Sequence, residues 1–125
     1  MGDQRLRPVE RLRCPRAYQR VFEQGEKLVG SLFILYVLPT SEPYSRLGIA
    51  ASKRIGNAVV RNRIKRYLRE TFRQHKAFLL SSCDLVCVAR REVASAPLAL
   101  YTQQFLLLLQ RCQRLKQRGE DGVEP

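Results

Sequence analysis

LGIAASKRIGNAVVRNRIKRYLRE, Leu47 to Glu70, is the stretch that decides how this 125-residue chain folds. Its opening, taken with Arg46 (RLGIAA, Arg46 to Ala51), reads as a short apolar strand. Gly56-Asn57 then breaks the pattern, and Asn57 is a good N-cap for a helix running through about His75. On a helical wheel Val60, Ile64, Tyr67, Leu68 and Thr71 fall on one side, which predicts the core face. Arg61, Lys65 and Arg69 form an i, i+4, i+8 row beside it, and Asn62, Arg66 and Arg73 continue round. Lys53 and Arg54 precede the helix on its entry loop, and Glu70 is the only acid within it.

Solvated helix faces usually mix signs, because opposite charges four apart gain roughly 0.2–0.5 kcal/mol and like charges lose a similar amount. Here like charges follow one another twice in a single row, an arrangement that favours a polyanionic partner. Arg predominates in the cluster, and its planar fork matches phosphate oxygens. The Gly56-Asn57 turn adds free backbone N–H groups at the helix start. The whole chain agrees: 23 Lys and Arg against 11 Asp and Glu leave a net charge of +12.

Outward from this segment the chain reads as one domain, residues 1–125, ordered from about 8 to 117 with flexible ends at Met1–Arg7 and Gly119–Pro125. Pro15 to Gln24 is predicted as a helix, opened by Pro15, stopped by Gly25, and carrying Tyr18, Val21 and Phe22 on one face. Leu28 to Leu38 is strand-like, with Gly30 dividing it in two, and Pro39 to Ser45 is a loop. Asp84 to Ala89 is a buried-type strand. Ser95 and Pro97 open a last helix to about Lys116, with Leu98, Tyr101, Phe105, Leu108, Leu109, Cys112 and Leu115 facing the core. The order is α-β-β-β-α-β-α, an α+β sandwich of helices on a small sheet.

Other chemistries find little support. Apolar runs such as Phe105–Leu109 fall far short of the ~20 residues a membrane span needs, and Met1 to Arg16 is polar and Arg-rich; a cytoplasmic protein without membrane partners is expected. Cys14, Cys83, Cys87 and Cys112 match no zinc spacing, His75 is the only histidine, and the cysteines read as small buried hydrophobes. The acids are scattered, which speaks against a self-sufficient nuclease. Tyr18, Phe22 and Tyr36 read equally as core or as a cleft on which unpaired bases stack beside the basic wall. Phe33, Phe72 and Phe105 are assigned to the core.

Leu47 to Glu70, centred on Gly56-Asn57-Ala58-Val59-Val60-Arg61-Asn62-Arg63-Ile64-Lys65-Arg66, resembles the signature of the bacterial ribonuclease P protein component family, with its Arg-Asn-Arg box intact. Arg11-Leu12 followed by Tyr18-Gln19-Arg20-Val21-Phe22 and Gly25 resembles that family's first helix, and Asp84 to Arg90 its last strand. The similarity runs from about Arg11 to Arg114. It implies the α-β-β-β-α-β-α order with a left-handed βαβ crossover, against the usual hand, a fold shared with a ribosomal protein domain. It also implies the non-catalytic protein subunit of a ribonucleoprotein endonuclease that removes the 5′ leader of precursor tRNA. The expected partners are the catalytic RNA, in a 1:1 complex with a monomeric protein, and the leader. Mg²⁺ is then held mainly by the RNA subunit and substrate.

By the same resemblance Lys53, Arg54, Arg61, Asn62, Arg63, Lys65, Arg66 and Arg69 face RNA, and Tyr18, Phe22 and Tyr36 form the leader cleft. Tyr18 stands where a Phe is common, so stacking is kept and a hydroxyl added. Cys14-Pro15 replaces residues that are usually charged or polar, and the acidic tail Glu120 to Glu124 lies outside the motif, with no role assigned. The alternative from composition alone is a structural RNA-binding protein of ribosomal type.

Overall fold

The computed structural model describes residues 7–114. Three helices, α1 (Pro15–Gln24), α2 (Ala58–His75) and α3 (Leu98–Arg111), pack on a sheet of β1 (Glu26–Val29), β2 (Phe33–Pro39), β3 (Arg46–Ala50) and β4 (Cys83–Ala89). The sheet order is β1-β2-β4-β3. β1 and β4 each pair antiparallel with β2, while β3 and β4 run parallel. Parallel neighbours need a crossover connection, and α2 supplies it. The predicted α+β order is the observed one, and the sheet is mixed.

Strand alternation sorts the side chains into two layers. Phe33, Leu35 and Val37 of β2, with Leu85 and Cys87 of β4, meet Ile64, Leu68 and Phe72 of α2 and Tyr101, Phe105, Leu108 and Leu109 of α3 in the main core. The opposite sheet face carries a smaller cluster of Leu12, Val21 and Val86, joined by Tyr18, Tyr36, Leu38 and Val88 under α1. Register places Lys27, Tyr36, Val86 and Gly48 side by side on that face, followed by Val29, Ile34, Val88 and Ala50. The second row is only partly covered, and Val29 remains 51% exposed.

Several boundaries need correction. Helix α1 has the predicted bounds, but Arg11-Leu12, part of the stretch likened to the family's first helix, lies outside it: Arg11 is extended and bridges to Leu47. Ser95 closes a helical turn (Arg91–Ser95), and Pro97 is the N-cap of α3. α3 ends at Arg111, short of the predicted Lys116, because Gln113 adopts φ of 60° and turns the chain. The Gln113 N–H then meets the Gln110 carbonyl at 3.1 Å and the Arg114 N–H the Leu109 carbonyl at 3.0 Å. This is the bonding of a Schellman stop, formed without the usual glycine. Leu115, Lys116, the acidic tail and the residues before Arg7 lie outside the described residues.

The cysteines divide. Cys83 and Cys87 are buried in the main core, where burial pushes their thiols up to about 11 and about 12. Cys112 is half-buried, and Cys14 is exposed at the N-cap of α1, contrary to the expectation of burial. All four are free.

Candidate nucleic-acid interface

β3 is an edge strand of the sheet, and the segment before α1 finishes its outer side. The Leu12 N–H donates to the Leu47 carbonyl at 3.0 Å, and the Ile49 N–H donates to the Tyr18 hydroxyl at 3.1 Å. The Tyr18 ring reaches that position by lying on Gly48. A Cβ at residue 48 would stand 2.6 Å from the ring, so only glycine admits this approach. Tyr18 is therefore half-buried and fixed at both ends.

α2 presents its cations around this edge. Asn57 caps the helix, its Oδ1 accepting the Val60 N–H at 3.0 Å. Ile64, Leu68 and Thr71 are buried as the wheel requires, Phe72 is buried with them, and Val60 and Tyr67 pack at the margin. Lys65 and Arg69 turn toward the outer edge of β3, where they line a pocket of about 240 Å³ with Tyr18, Leu12, Leu47, Ile49, Arg11 and Arg13. Burial, and then the neighbouring Arg11 charge, hold the Arg69 guanidinium below its ordinary value. Arg61 donates to the Gly56 carbonyl at 3.3 Å, which holds it over the entry turn. Asn62 and Arg66 are exposed, with Arg66 over the Tyr67 ring at 5.5 Å. Lys53 and Arg54 are exposed on the turn before α2.

Arg63 stands apart. Its guanidinium donates to the Ala94 carbonyl at 2.6 Å, fastening α2 to the turn ahead of α3. Arg73 pairs with the buried Glu70 at 2.9 Å. By contrast, among the described residues none of Lys53, Arg54, Arg61, Arg63, Lys65, Arg66 and Arg69 forms an ion pair with a carboxylate. The acids that are paired sit elsewhere: Asp84 is held by Arg46 at 2.6 Å and Glu10 by Lys76 and Arg7.

The aromatic trio is split. Phe22 and Tyr36 meet edge-to-face with centroids 4.8 Å apart, and Phe22 is 40% exposed. Tyr18 lies across the sheet row from Tyr36, nearer the pocket with Lys65 and Arg69. The sheet face thus runs from an apolar, aromatic floor to a cationic rim. Sequence reading did not single out Arg11 and Arg13 as interface residues, nor Gly48 as the seat of Tyr18. The first two alternate about the buried Leu12, a period-2 signal too short to stand out beside a helix.

An open sheet face beside a helix of unneutralised arginines defines a small nucleic-acid-binding protein of α+β class. The family model described as Ribonuclease P matches residues 6–113, nearly the whole described chain. The ribonuclease P protein component of Petrotoga mobilis is 38% identical over 94 residues, covering 75% of this chain and 80% of that one. The corresponding protein of Geobacillus thermodenitrificans is 37% identical over 110 residues, covering 87% and 91%. The crystallised ribonuclease P protein of Staphylococcus aureus superposes with a TM-score of 0.77 at 28% identity, covering 86% of this chain and 98% of that chain. That of Thermotoga maritima gives 0.73 at 31% identity, covering 82% and 96%. The chain belongs to the ribonuclease P protein component family. It is thus a protein subunit of an RNA-processing endonuclease and not a structural protein of ribosomal type.

Proposed function

We propose that α2 and its entry loop bind the catalytic RNA of ribonuclease P, while the sheet face beside α1 receives the single-stranded 5′ leader of precursor tRNA. One observation carries this reading: the cations of α2 other than Arg73 lack carboxylate partners among the described residues and stand beside an open aromatic sheet face. RNA phosphates supply the missing counter-charge, and Phe22 and Tyr36 offer ring surface to unpaired bases. Arg61, Lys65, Arg66 and Arg69, with Lys53, Arg54 and Asn62, hold RNA backbone; Arg63 adds structure to charge through Ala94. The protein acts as a monomer, one per RNA.

Chemistry is assigned to the RNA. Among the described residues no group of three or more His, Cys, Asp or Glu comes together to hold a metal ion. Glu10, Glu70 and Asp84 are engaged with Lys76, Arg73 and Arg46. Mg²⁺ is assigned to the RNA and substrate phosphates, with the protein lowering repulsion between the strands. No helix among the described residues is long and apolar enough to cross a membrane.

The test is a comparison of precursor and mature tRNA binding by the complex of this protein with a bacterial ribonuclease P RNA. Phe22→Ala should weaken the leader-bearing substrate selectively. An equal loss for mature tRNA would place the leader elsewhere.

A further inference from the structure

β1 is the least anchored strand of the sheet. It lies at an edge, and of Glu26, Lys27, Leu28 and Val29 only Leu28 is partly buried against the main core. Side chains alternate along a strand, so a slip of one residue against β2 would withdraw Lys27 and Val29 from the α1 side of the sheet and put Leu28 there. So little burial specifies that register weakly. The turn into β2 is instead tied by polar groups from outside the hairpin. The Gln104 Oε1 of α3 accepts the Ser31 N–H, the Ser31 hydroxyl at 3.1 Å and the Leu32 N–H at 3.3 Å. From β4, the Arg90 guanidinium donates to the Gly30 carbonyl at 3.1 Å and the Arg90 N–H to the Leu32 carbonyl at 2.9 Å. The Gly30 N–H closes the turn on the Phe33 carbonyl at 3.0 Å. Gly30 also leaves the room that the Gln104 amide occupies, since a Cβ there would collide with it.

We propose that Gln104 is a positioning residue for leader recognition: it latches the β1–β2 turn, holds β1 in the register that turns Lys27 and Val29 toward the face beside α1, and so extends that face to the β1 edge. Gln104 reaches the turn from α3, in the layer opposite α1, and acts on the leader only through β1. The Arg90 side of the clamp takes the turn's carbonyls, which leaves the Ser31 and Leu32 N–H groups to Gln104 alone. One side-chain oxygen thereby fixes by hydrogen bonding what burial fixes in β2 and β4. The role rests on the reading of that face as the leader site. It concerns the leader nucleotides that reach β1, and it leaves the binding of catalytic RNA on α2 unchanged.

The experiment titrates the complex of the full chain and a bacterial ribonuclease P RNA with mature tRNA and with precursors of short and long leader. Gln104→Leu, which roughly keeps the volume and removes the acceptor, should cut the affinity gained from the longer leader by about threefold to tenfold, the worth of one or two hydrogen bonds. Binding of mature tRNA and of the catalytic RNA should not change. Gln104→Glu keeps an acceptor oxygen at the turn and should restore the wild-type gain. Tyr101→Phe loses the buried bond from the Tyr101 hydroxyl to the Val93 carbonyl at 3.0 Å, one turn earlier on α3, and so lowers stability without untying the turn. Its leader gain should match the wild type. An undiminished gain in Gln104→Leu, an equal loss in Tyr101→Phe, or no restoration by Gln104→Glu would overturn the positioning role. Hydrogen exchange at the Ser31 and Leu32 amides reads the latch in the protein without RNA. It should be faster in Gln104→Leu than in the wild type, and equal rates would overturn the latch. A wild-type complex that gains nothing from a leader, while the exchange rates still respond, would overturn the leader reading and leave the latch standing.

Discussion

The Tyr18 hydroxyl accepts the Ile49 N–H at 3.1 Å while the Tyr18 ring rests on Gly48, so one side chain of α1 both finishes the β3 edge and floors the cationic pocket. The hydroxyl added at this position has a structural use. Tyr18→Phe should keep the ring in place and leave the Ile49 N–H to solvent, costing about 0.5–1.5 kcal/mol. Urea unfolding should show a lower midpoint with an unchanged slope, and leader preference should persist. A loss of leader preference without a loss of stability would assign the hydroxyl to the substrate instead.

Gly48→Ala attacks the same packing from below. The new methyl must displace the ring or the strand, a strain of about 1–3 kcal/mol. It should lower both the unfolding midpoint and the preference for leader-bearing substrate, the latter more than Tyr18→Phe does. Wild-type behaviour in both assays would show that Tyr18 needs no such seat.

On α2, Arg61→Ala and Lys65→Ala each remove a cation that has no carboxylate partner among the described residues. Binding to the catalytic RNA should weaken, and the slope of log affinity against log salt should become shallower by about 0.7–0.9 for each phosphate that is no longer neutralised. Titrations at several salt concentrations read both quantities. An unchanged slope would exclude a role for that residue in phosphate binding.

Glu10 gives a pH dependence of known sign. Burial pushes its carboxyl up, but hydrogen bonds from Lys76 and Arg7 outweigh this and bring it below its ordinary value of 4.5. A depressed folded value means that its stabilisation is fully present above that ordinary value and is lost as pH falls through the lower folded one. Glu10→Gln should therefore be less stable at neutral pH, by about 1.5–3 kcal/mol for its lost charged hydrogen bonds. The gap to wild type should close below pH 4.5. A gap independent of pH would show that the cost is one of packing.

The stop of α3 offers a stabilising change. Gln113 holds a left-handed conformation, φ of 60°, that glycine adopts without strain. Gln113→Gly should raise stability by about 1 kcal/mol, read from urea or thermal unfolding. A decrease would mean that the Gln113 side chain contributes more than its backbone costs.

Local signals carried most of the fold. Asn57, the apolar spacing of α2 and the absence of Gly or Pro within it set that helix's bounds, and the divided strand at Gly30 was visible for the same reason. Long-range partners were not visible. Nothing near Arg63 in the chain points to Ala94, and nothing near Tyr18 points to Ile49. The end of α3 was hidden because glutamine, not glycine, takes the left-handed position. The cationic row on α2 was legible as a pattern, whereas Arg11 and Arg13 acquire meaning only when the β3 edge brings them to Lys65 and Arg69.

Reconstitution tests the ribozyme-subunit role most directly. Purified protein is mixed with a bacterial ribonuclease P RNA and precursor tRNA at moderate Mg²⁺, and leader release is compared with that of RNA alone and of protein alone. A large gain that needs both components, with no cleavage by protein alone, is the predicted result. Cleavage by an RNA-free preparation, or no gain while the RNA is still bound, would contradict it.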